Sequence, residues 1–65
     1  MNELSIKVIK SIKHGFNKDH ESIITIETEN ELFHYRIDGL NRALTFIEKT
    51  GIRTIPNGFK LIGDF

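Results

Sequence analysis

The sequence predicts an α+β domain, a three-stranded antiparallel sheet with one helix packed across it (β-β-β-α) and a short C-terminal hairpin or arm. Three observations carry this. Apolar and polar residues alternate from Leu4 to Lys13 and again between Ser22 and Ile37, the apolar spacing then becomes helical, and Pro56, Asn57 and Gly58 divide the tail. With 65 residues, the chain (1–65) is a single small domain. A chain of this size buries only about 60% of its unfolded surface, so its core has little to spare.

In the first predicted strand, Leu4, Ile6, Val8 and Ile12 share one parity while Ser5, Lys7, Ser11 and Lys13 share the other, and Ile9 interrupts the polar side. The segment from His14 to His20 holds Gly15, Asn17 and Asp19, turn-forming residues that predict a loop. Ser22 to Thr28 is rich in β-branched residues, which pack well on a pleated surface.

A tight turn centred on Glu29 and Asn30 pairs Ile26 with Phe33 and Ile24 with Tyr35, with Ile37 on the same face. A slip of one residue would turn that whole set outward, so the pattern fixes the register. The aromatic side chains Phe33 and Tyr35 are therefore expected in the core, and His34 and Arg36 on an outer face beside Thr25.

Beyond Ile37, the residues Leu40, Ala43, Leu44 and Ile47 form one helical stripe, with Asp38 or Asn41 as cap and Gly51 as terminator. This predicts a helix of about three turns lying on the sheet, its Lys49 suited to the negative end of the helix dipole. The tail that follows is more apolar than an exposed arm should be. Ile55, Phe59, Leu61 and Ile62 are accordingly expected to make dimer contacts, since small domains without staples often gain stability by oligomerising.

Composition narrows the function classes. The absence of cysteine removes disulfides and thiolate metal sites, and neither a signal-peptide pattern nor a membrane-length apolar run is present, which predicts a cytoplasmic protein. Abundant isoleucine, lysine and asparagine fit an AT-rich coding sequence, as in low-GC bacteria and their phages or other mobile elements. A formal net charge of zero argues against strong nonspecific nucleic-acid binding.

No catalytic residue, cofactor site or metal site is assigned. His14, Asp19, His20 and Glu21 gather around one loop, but their spacing is not that of a rigid metal centre, and they read as solvated loop residues. No serine sits on a nucleophile-elbow turn, and the glycines are isolated. A basic outer face made of Lys7, Lys13, His34 and Arg36 is the strongest alternative, a nucleic-acid contact. No aromatic group is expected beside it to stack on bases. The first reading is thus a small non-enzymatic cytoplasmic interaction protein acting as a homodimer or with another protein, and the second a nucleic-acid-binding accessory factor.

Overall fold

The computed structural model describes residues 8–64. Among them lie five strands and no helix: β1 (Ser11–Phe16), β2 (Ser22–Glu27), β3 (Glu31–Ile37), β4 (Leu44–Gly51) and β5 (Lys60–Asp64). They form one sheet in the order β4-β3-β2-β1-β5, with every neighbouring pair antiparallel. This all-β architecture overturns the expected α+β fold of three strands, a helix and an arm.

The centre of the sheet follows the alternation. Ile24 pairs with Tyr35 and Ile26 with Phe33, the register set by the apolar pattern. The connecting turn at Glu29 and Asn30 is closed by the Thr28 amide, which donates to the Glu31 carbonyl at 3.0 Å. Ile24, Ile26, Phe33 and Tyr35 form the buried core, with Ile12 and Ile37 packed against it.

Where the helix was expected, a hairpin loop and a strand stand instead. The Asp38 carboxylate accepts a hydrogen bond from the Leu40 amide at 2.8 Å, as a helix cap would. The turn goes no further, because Arg42 adopts a left-handed φ of 57° and the Asp38 amide bonds the Ala43 carbonyl at 2.9 Å. The next segment, LTFIEKTG, pairs with β3 from Leu44 opposite Ile37 to Gly51 opposite Glu31. Thr45, Phe46, Ile47 and Thr50 are β-branched or aromatic and favour a strand, while a short isolated helix is marginal. Pairing also satisfies the backbone groups along the outer edge of β3, which a helix would leave open. Leu44 and Ile47, expected to seal the core, are exposed.

The segment after Lys13 differs as well. Residues 4–7 of the predicted strand lie outside the described residues, and β1 runs through His14, Gly15 and Phe16, where a loop was expected. Gly15 permits this, because a Cβ there would fall on the Lys60 carbonyl oxygen and lie 2.8 Å from Leu61 Cα. Only glycine lets β5 approach so closely.

The tail is not an arm. β4 and β5 occupy opposite borders of the sheet, so the connection 52–59 must cross one face. Phe59 identifies which: its ring meets that of His34, on the face opposite Ile24 and Ile26. The turn at Pro56, Asn57 and Gly58 forms, with the Phe59 amide donating to the Pro56 carbonyl and Gly58 at a φ of 89°. Its flanking pieces do not pair with each other, however; β5 docks on β1. Consequently Ile23, Thr25, Leu32 and His34 are buried, and the two central strands are covered on both sides. The open outer face expected for His34 does not exist.

Both border strands carry an irregularity. In β4, Glu48 pairs with His34 and Phe46 with Tyr35, leaving Ile47 as the extra residue; in β5, Ile62 has the same place between Leu61 and Gly63. Such bulges bend a strand and interrupt its hydrogen-bonding edge.

Candidate functional site

His34 lies at the middle of β3 with 0% of its surface exposed, and both ring nitrogens are engaged. Thr25 Oγ1 from β2 is 2.8 Å from Nδ1, and Thr50 Oγ1 from β4 is 2.8 Å from Nε2. The Thr50 hydroxyl in turn donates to the Thr54 carbonyl at 2.6 Å. That last bond sets the direction of the whole chain. Because the Thr50 hydrogen is committed to Thr54, its oxygen accepts from Nε2–H; Nδ1 is then the acceptor, and the Thr25 hydroxyl donates to it. Neutral His34 in the Nε2–H tautomer links β2, β3, β4 and the crossing segment 52–59 in one line.

Burial pushes the His34 imidazolium pKa below its ordinary value, and the Glu48 carboxylate, paired across from it on β4, offsets part of that effect. The ring is closed off on its remaining side by Phe59, at a centroid distance of 5.5 Å. A fully enclosed imidazole with both nitrogens bonded holds structure together; it does not reach a substrate.

Of the other residues expected to contact nucleic acid, Lys13 and Arg36 share the face of His34 through the register of β1, β2 and β3. Lys7 lies outside the described residues. Lys13 Nζ is 2.9 Å from Asp64 Oδ1, an ion pair and hydrogen bond that raises the lysine pKa. Arg36 Nη1 is 3.7 Å from Glu21 Oε2. Each of these two cations thus has a carboxylate beside it, and His34 is hidden.

Among the expected dimer contacts, Phe59 and Leu61 are half-buried within the fold, whereas Ile55 and Ile62 are exposed. Among the described residues, no group of three or more histidine or carboxylate side chains is placed to hold a metal ion. Asn17 organises that loop, its Oδ1 accepting from the amides of Asp19 and Glu21 at 2.9 Å each.

A feature that sequence periodicity missed lies on the β3–β4 hairpin. Phe46 is 52% exposed, yet its ring is fixed against Tyr35 at a centroid distance of 5.5 Å and Phe33 at 6.3 Å. Leu44 is also exposed, beside half-buried Ile37, and Leu40 at the hairpin tip is 98% exposed. Leu44 and Phe46 lie on one face of β4, and exposed apolar side chains that adjoin in this way mark interaction surfaces. The helical reading hid them, because it turned Leu40 and Leu44 toward the sheet.

No protein-family model matches the chain, and neither a curated protein nor a solved structure matches it. Among the described residues, no helix is long and apolar enough to cross a membrane.

Proposed function

We propose that the protein is a small non-enzymatic interaction module of the cytoplasm that works as a homodimer, with the β3–β4 hairpin as its contact surface. The observation that carries this reading is Phe46, a half-exposed aromatic ring whose position is already set by Tyr35 and Phe33. A side chain held in place before association loses little further freedom when a partner covers it. Leu44, on the same face of β4, extends this apolar surface.

A second copy of the chain is the partner that these features fit. The formal net charge is zero, so two copies repel each other little, and a short domain without disulfides gains stability by burying apolar surface between copies. The bulge at Ile47 obstructs edge-to-edge strand pairing and leaves packing of side chains across a twofold axis as the route. A cytoplasmic location rests on the absence of cysteine, and an origin in a phage or other mobile element on composition alone. Nucleic-acid binding has less support, since Lys13 and Arg36 sit beside carboxylates.

Sedimentation analysis over a wide concentration range tests the reading. A dimer that forms with increasing concentration, and that Phe46→Glu abolishes while leaving the far-ultraviolet spectrum unchanged, is the expected result. A wild-type protein that stays monomeric throughout overturns it. Loss of the dimer in Ile62→Glu but not in Phe46→Glu would move the contact to the tail, and binding of DNA or RNA that weakens with salt would favour the second reading.

A further inference from the structure

We propose that His34 and its two threonine partners form a pH-operated latch that holds the crossing segment 52–59 against the sheet. The line of hydrogen bonds from Thr25 through His34 and Thr50 to the Thr54 carbonyl is complete only when the ring carries one proton, on Nε2. A second proton, on Nδ1, makes both ring nitrogens donors. Thr25 would then have to accept rather than donate, turning its own hydrogen away while only 1% of its surface reaches solvent.

The charge itself is the larger burden. A buried imidazolium is costly unless a counter-charge meets it or water reaches it. Around His34 the charged groups are few. Glu48 on β4 stands opposite it and favours the cation. On β3, Arg36 shares its face and is paired with Glu21; beyond Thr25, Lys13 of β1 is paired with Asp64 of β5. Glu27 of β2 accepts a hydrogen bond from Ser11. The covering segment contributes Arg53, an exposed cation. Burial therefore outweighs Glu48, and the closed form disfavours the proton.

Water can reach the ring most directly by lifting Phe59, which covers it without any hydrogen bond to it. In the opened form the imidazole titrates near its ordinary value of about 6.5. The closed form, with its lowered value, is thus fully favoured above about pH 6.5 and loses ground as pH falls. The ratio of open to closed molecules rises by up to tenfold per pH unit until the closed-state value is passed.

The test is an NMR titration of the intact protein from pH 8 to 5, following the His34 ring, the Phe59 ring and the amides of 52–64 against those of β2 and β3. The expected result is that Phe59 and the segment shift together with His34, at a midpoint below 6.5, while the core amides stay in place. His34→Gln should remove this response, whereas His14→Gln and His20→Gln should retain it. The latch is overturned if His34 titrates without any change in 52–64, if His34→Gln preserves the response, or if the core opens together with the segment. Should His34→Gln fail to fold, Thr50→Val provides the second arm. It keeps the ring but cuts the link to Thr54, so the segment should already be mobile at pH 8; a segment as ordered as in the wild type overturns the proposal.

Discussion

Phe59 meets His34 edge-on, with ring centroids 5.5 Å apart and planes inclined at 86°. The contact joins a residue of the apparent tail to the centre of the sheet, across 25 positions of sequence. It makes Phe59 part of the core on the second face.

Phe59→Ala should therefore destabilise the monomer itself. The loss should be roughly 2 kcal/mol, below the 3–5 kcal/mol of fully buried aromatic truncations because the ring is half-buried. Urea denaturation at neutral pH measures it. A change in dimer dissociation with unchanged unfolding would return Phe59 to the interface instead.

Gly15 and Gly63 offer a matched pair. A Cβ at Gly15 runs into the backbone of Lys60 and Leu61, whereas one at Gly63 meets nothing within 4 Å. Gly15→Ala should detach β5, seen as rapid amide hydrogen exchange in 60–64, at a cost of at least 2 kcal/mol. Gly63→Ala should change stability by no more than about 1 kcal/mol. Equal effects of the two substitutions would contradict the close approach of β5 to β1.

Arg42 decides between a helix and a hairpin by the sign of one substitution. In a helix interior glycine costs about 1 kcal/mol relative to alanine. At a left-handed φ of 57°, by contrast, glycine relieves strain. Arg42→Gly should therefore stabilise the protein, by up to about 1 kcal/mol on thermal or urea unfolding. Destabilisation of that size would restore the helix.

The middle hairpin was legible because its two strands obey one rule throughout. Ile24 and Ile26 alternate along one strand and Phe33 and Tyr35 along the next, a turn of fixed length joins them, and only one register keeps all four on one face. Leu40, Ala43, Leu44 and Ile47 obey the helical rule equally well, and the Asp38 cap is present, but local signals do not record that β3 needs a neighbour on its open side. That need is tertiary, and it overrode the period.

His34 was misplaced for a related reason. Alternation sends it away from Tyr35, which is correct, but whether that direction leads to water depends on a segment 18 to 25 residues later in the chain. The adjacent isoleucines Ile23 and Ile24 were the available hint. They face opposite sides, and both are buried, which requires cover on each side of the strand. The exposure of Phe46, in turn, depended on the strand that replaced the helix.

The unmatched isoleucines at Ile47 and Ile62 bear on how large an assembly can grow. A ribbon with clean borders can recruit copy after copy and lengthen without limit, whereas each border here is broken partway along. Self-association through the hairpin face would then stop at a closed pair, and a chain rich in isoleucine would stay clear of fibrils.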